Sequence, residues 1–85
     1  MKKVYKTRGV CSRAIEIELN GDVIEQVRFE GGCMGNTQGV AALVRGMKAS
    51  EAIGRLSGIR CGFKPTSCPD QLAIALREML EQKEN

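Results

Sequence analysis

The hydrophobic period of this 85-residue chain changes once, at Phe29, and that single change limits the folds open to it. Up to that point apolar and polar residues alternate, and residues 13 to 19 and 23 to 29 read as strands. Asn20-Gly21-Asp22 between them is a strong hairpin signal. Register then chooses the turn. A two-residue turn would pair Leu19 with Asp22 and set Glu16 opposite Glu25. A three-residue turn pairs Leu19 with Val23 and Ile15 with Val27, gathers apolar residues on one face, and is the expected one. Residues 4 to 7 add a short first strand, ended by Gly9.

Beyond Phe29 the apolar residues recur at three and four. A glycine-rich loop, residues 30 to 35, leads to a helix capped by Asn36 or Thr37 and running to about Arg45, with Val40, Leu43 and Val44 as its stripe and Gly46 as its stop. A second helix, about Ala49 to Leu56, turns Ala52, Ile53 and Leu56 inward and ends at Gly58. Residues 59 to 65 form a loop, and a last helix runs from Pro69 to about Gln82 on Leu72, Ala75, Leu76, Met79 and Leu80. Strands followed by helices predict an α+β fold: a small three-stranded antiparallel sheet followed by three helices packed on one face. Residues 1–85 make one domain, without repeat, linker or low-complexity tract. A chain this short gains much from a metal or a partner as a staple.

Composition narrows the function classes. Aromatic residues are only Tyr5, Phe29 and Phe63, too few to build a stacking platform for single-stranded nucleic acid. The net charge of +3 is local: Lys2, Lys3, Lys6, Arg8 and Arg13 all precede the first acid, Glu16. Such an arm could touch phosphate or an acidic protein surface, making a basic-arm binding module one possible function, although a solvated charged terminus is the ordinary outcome. No apolar run has the length of a signal peptide or membrane helix, so a soluble cytoplasmic protein is expected. In a reducing compartment the four cysteines are then metal ligands, redox groups or core residues sooner than structural disulfides. The chain has no histidine, so any metal site must be thiolate, completed if necessary by carboxylate, water or a partner.

The cysteines lie at Cys11, Cys33, Cys61 and Cys68, separated by 21, 27 and 6 residues. None of these spacings is the two-residue knuckle of a zinc ribbon. Position says more. Cys11 precedes a strand, Cys33 follows the next, and Cys61 and Cys68 flank the loop before the last helix, whereas a core cysteine would take a slot in an apolar stripe. In the hairpin, Cys11 and Cys33 come to the same end of the sheet. Thr66-Ser67-Cys68-Pro69-Asp70 sets a thiol at the mouth of a helix, with Pro69 suited to the first helical position and Ser67 or Cys68 to the cap. A helix N-terminus favours the thiolate, which binds metal or attacks a disulfide. Cys33 also lies just before a helix, and free N–H groups at both helix starts can bond sulfur. Asp70 suits the helix dipole better than a metal, and Ser67 suits a cap. Three outcomes stay open: incidental buried thiols, a disulfide or redox relay, and a shared metal or cluster site on Cys11, Cys33, Cys61 and Cys68.

The literal Thr66-Ser67-Cys68-Pro69-Asp70 string, with three cysteines upstream, resembles the TSCPD-domain family of small stand-alone proteins, a domain also found at the C-terminus of adenosylcobalamin-dependent ribonucleotide reductases. The resemblance covers nearly the whole chain. It implies a cysteine-rich domain, an accessory to ribonucleotide reduction where it is joined to the larger enzyme, and little more for stand-alone members, whose protein partner it leaves unknown. More distantly, the run from Cys11 through Asn20-Gly21, Ile24-Glu25, Val27-Arg28-Phe29, Gly32-Cys33, Gly46 and Glu51-Ala52 to Cys68 is similar in order to the NifU/IscU-type iron-sulfur scaffold proteins. That likeness implies a NifU/IscU-like fold, partners in iron-sulfur machinery, and Cys11, Cys33 and Cys68 as ligands of zinc or a [2Fe-2S] cluster. Arg13 stands where the scaffolds have aspartate, Ser67 where they have histidine, and their chaperone-binding segment is missing, so ligand geometry carries over better than cluster hand-off. Cys61 has no counterpart there and would complete an all-cysteine tetrahedron, as in structural zinc or a stable iron site.

The leading expectation is a small non-enzymatic metal-binding domain holding zinc or an iron-sulfur cluster. The alternative is a thiol redox accessory module associated with ribonucleotide reductase, exchanging through a Cys61–Cys68 pair. Ribonucleotide reduction by this chain alone is not expected, because 85 residues cannot enclose a nucleotide, a radical-generating cofactor and the reducing cysteines.

Overall fold

A computed structural model describes residues 1–10, 12–32, 34–60 and 62–84. Three strands, β1 (Lys2–Lys6), β2 (Ser12–Asn20) and β3 (Val23–Gly31), precede three helices, α1 (Met34–Val44), α2 (Ala49–Leu56) and α3 (Cys68–Glu84). The sheet is antiparallel in the order β1-β2-β3. This is the α+β arrangement that the change of period predicts. One sheet face carries Ile15, Ile17, Leu19, Ile24 and Val27, all buried against Leu72, Ala75, Leu76 and Met79 of α3 and Ala49 and Ala52 of α2. The other face is ionic, with Glu16 opposite Arg28 and bonded to Lys2 at 3.1 Å.

The hairpin register differs from both sequence-based alternatives. Asn20 pairs with Val23 and Leu19 with Ile24 across a two-residue Gly21-Asp22 turn, with Gly21 at φ 63. The register then slips by one at Glu25, so that Glu18 faces Gln26, Ile17 faces Val27 and Ile15 faces Phe29. Parity explains the slip. Ile24 and Val27 are three residues apart and would point to opposite faces of a regular strand, and the bulge lets both turn inward. A second slip between Ser12 and Ala14 does the same for Ser12 and Ile15.

The basic N-terminus is not a free arm. Lys2, Lys3 and Lys6 belong to β1, whose start is tied down by the Met1 amino group donating to the Leu19 carbonyl at 2.7 Å. Lysines on an edge strand oppose edge-to-edge association.

The helices follow the expected order with two corrections. Helix α1 begins at Met34, ahead of Asn36 and Thr37, which lie inside it. Its inward side is Thr37, Val40, Ala41 and Val44, spaced at three and four, which leaves Leu43 on the far side and 76% exposed. Gly46, at φ 84, ends the turn after α1, and the chain then runs back along the outer edge of β3. There the Gly46 N–H bonds the Ile24 carbonyl at 2.7 Å, the Ile24 N–H bonds the Met47 carbonyl at 2.9 Å, and the Ala49 N–H bonds the Asp22 carbonyl at 2.7 Å. Helix α2 matches its predicted span, and α3 extends the predicted helix by a residue at its start and two at its end.

Candidate functional site

The Thr66 to Asp70 motif builds the start of α3, and each of its polar groups is used. Ser67 is the cap: its Oγ accepts the Asp70 N–H at 3.2 Å, and its carbonyl accepts the Gln71 N–H at 2.8 Å. Cys68 therefore takes the first helical position and Pro69 the second, one later than expected, where a missing N–H still costs nothing. Asp70 does not reach back to the cap as in a capping box. Its carboxylate accepts the Thr66 hydroxyl on one oxygen and the Gly58 N–H on the other at 2.7 Å. Both oxygens are thus engaged by protein donors, and the negative charge complements the helix dipole.

Gln71 extends this network. Its amide donates to Thr66 Oγ1 at 3.0 Å, and its carbonyl accepts the Arg8 N–H at 3.0 Å. A continuous chain of hydrogen bonds therefore runs from Arg8, in the β1–β2 connection, through the first turn of α3 to Gly58, at the exit of α2. The burial pattern agrees. The buried polar residues are Ser12, Thr37, Ser67 and Gln71, and every buried side-chain nitrogen or oxygen among the described residues has a partner.

Cys68 is buried, and its Sγ stands 3.2 Å from Ser12 Oγ. Gly32, at φ 84, packs directly on Ser12: a Cβ at Gly32 would come within 3.2 Å of the Ser12 Cβ and backbone N. The residue after Cys11, the residue before Cys33, and Cys68 itself accordingly meet at one point. Cys11, Cys33 and Cys61 lie outside the described residues. Among the described residues no group of three or more His, Cys, Asp or Glu is placed to hold a metal ion. Beside this point an open cleft of about 550 Å³ separates β3 from α1, lined by residues that include Phe29, Gly31, Gly32 and Thr37.

A family model for the TSCPD domain matches residues 2–80. The chain belongs to the TSCPD-domain family. No curated protein and no solved structure matches it significantly. The named motif of this domain thus has distinct duties: Thr66 and Asp70 tie the α2–α3 connection to the start of α3, Ser67 caps the helix, and Cys68 faces Ser12 at the end of the sheet. Sequence reasoning found Ser67 and Asp70 as helix-start residues but missed Ser12 and Gln71. Neither stands in a periodic pattern, since a polar residue at a strand end or in a first helical turn is ordinarily exposed. No helix among the described residues is long and apolar enough to cross a membrane.

Proposed function

We propose that this TSCPD domain is a non-enzymatic metal-binding module in which Cys11, Cys33, Cys61 and Cys68 hold zinc or an iron-sulfur centre. The observation that carries it is the contact of Cys68 with Ser12 and of Ser12 with Gly32, because these two neighbours of Cys11 and Cys33 are far apart in sequence. Arg8 and Gly58, each three residues before a cysteine, share the Gln71–Thr66–Asp70 network, which supports convergence of the Cys11 and Cys61 connections as well. The donor chemistry fits. The chain offers no histidine, and the Asp70 carboxylate in the first turn of α3 is already engaged. A bound four-thiolate metal would cross-link the connections that the hydrogen bonds already bring together. A protein partner would belong to ribonucleotide reduction or iron-sulfur assembly, in keeping with the family resemblances.

Protein purified under reducing, anaerobic conditions is expected to carry stoichiometric zinc or iron, and each Cys→Ser variant to lose metal and thermal stability. Metal-free protein that is fully folded and indifferent to chelator overturns the proposal. A reversible Cys61–Cys68 disulfide in such metal-free protein, seen by mass spectrometry after mild oxidation, would assign the domain to thiol exchange instead.

A further inference from the structure

We infer that Ser12 is a positioning residue that donates a hydrogen bond to the Cys68 sulfur, so that the side chain following the first cysteine tunes the metal held by the last. The inference rests on the thiolate-site proposal and goes beyond it, because Ser12 is not itself a ligand. Ser12 Oγ and Cys68 Sγ are 3.2 Å apart, both side chains are buried, and the two residues lie 56 positions apart in the chain. By distance alone either atom can donate. A metal-bound thiolate carries no proton and can only accept, so the hydroxyl must donate.

Three features hold Ser12 for that purpose. The register slip around Arg13 lets Ser12 share the inward face of Ile15. Thr7 donates its hydroxyl to the Ser12 carbonyl, which fixes the backbone from one side. Gly32 closes from the other side, at a distance that a Cβ would make too short. The hydroxyl is therefore placed by the fold before any metal arrives. Four thiolates on a divalent ion leave a net negative site, and a donor aimed at one sulfur offsets part of that charge. It also draws electron density from the sulfur, so moving an electron from sulfur to metal takes more energy.

Cobalt(II) as the probe separates this role from simple packing. In the cobalt-loaded protein, Ser12→Ala should keep the ligand-field bands of the four-sulfur site but move the sulfur-to-cobalt charge-transfer band to longer wavelength. Its cobalt affinity, measured against a competing chelator, should fall about tenfold. Ser12→Thr keeps a hydroxyl and should return the band toward its original position. If the added methyl prevents folding of the threonine variant, the alanine spectrum decides alone. An unchanged charge-transfer band in Ser12→Ala overturns the inference, even if that variant melts earlier, because lost packing would lower stability without touching the sulfur. Failure of the unsubstituted protein to take up cobalt overturns the thiolate site itself, a distinct result.

Discussion

The two stretches of α3 are held by different forces. From Leu72 to Met79 the helix lies on the sheet through Leu72, Ala75, Leu76 and Met79, all buried against Ile15, Ile17 and Ile24. At its first turn the helix is capped by Ser67 and held by Asp70 and Gln71, which bond Thr66, Arg8 and Gly58. Apolar packing is non-directional and tolerates small shifts, whereas hydrogen bonds fix angle and distance. If thiols from separate connections meet at one point, as proposed, that end needs the second kind of force. The first kind makes the domain fold, and the second aims its cysteine.

The sharpest way to break the comparison is to weaken each region alone. Leu76 is fully buried in the centre of the apolar half, and Leu76→Ala should cost about 2–5 kcal/mol through lost transfer energy and the cavity left behind. Urea denaturation measures this. Any fraction that stays folded should bind metal with nearly unchanged affinity, because the first turn of α3 is untouched. A Leu76→Ala protein that folds well yet loses metal would show that the two regions are not separable.

Gln71→Ala should do the reverse. It leaves the Arg8 N–H without its acceptor and removes a donor from Thr66, at a stability cost of about 1–3 kcal/mol, which is smaller than that of Leu76→Ala. Its metal affinity should nevertheless fall further, because the β1–β2 connection is no longer fixed relative to Cys68. Chelator competition and urea denaturation on the same two variants give the contrast. Equal ranking of both variants by both measurements would remove the distinction between fold and aim.

The same contrast decides what was legible in the sequence. The apolar half follows from periodicity, so the order of elements, α2 and the stripe Leu72, Ala75, Leu76 and Met79 could be read directly. The slips at Glu25 and Arg13 could not, because a bulge interrupts the alternation from which strands are recognised. Leu43 misled for a related reason: it fits an apolar stripe, but the inward side of α1 is Thr37, Val40, Ala41 and Val44, which leaves the leucine outward. At the polar end the helix start was legible from Ser67, Pro69 and Asp70, since capping chemistry is local. Ser12 and Gln71 were not, because only partners more than fifty residues away make their burial favourable.

Tyr5 offers the mildest probe, and it reports on both halves of the contrast. Burial pushes its phenol above the ordinary value of 10.0, the Glu78 carboxylate adds to that push, Arg8 opposes it, and Asp70 adds a smaller upward effect. Glu78 belongs to the later turns of α3, while Arg8 and Asp70 belong to the network at its start. A phenol whose folded value is raised binds its proton more tightly in the folded state. Its contribution to stability is complete below pH 10 and is lost as the pH rises through the raised folded value. As the single tyrosine in a chain without tryptophan, Tyr5 can be titrated by phenolate absorbance alone. The midpoint should lie above 10 in the folded protein, and Glu78→Gln should lower it. Loosening the first turn by Gln71→Ala frees Arg8 from its tie and should raise the midpoint, if Arg8 moves away from the phenol. A midpoint that responds to Glu78→Gln but not to Gln71→Ala would mean that the β1–β2 connection keeps its place without Gln71, and the role given to that side chain would fall.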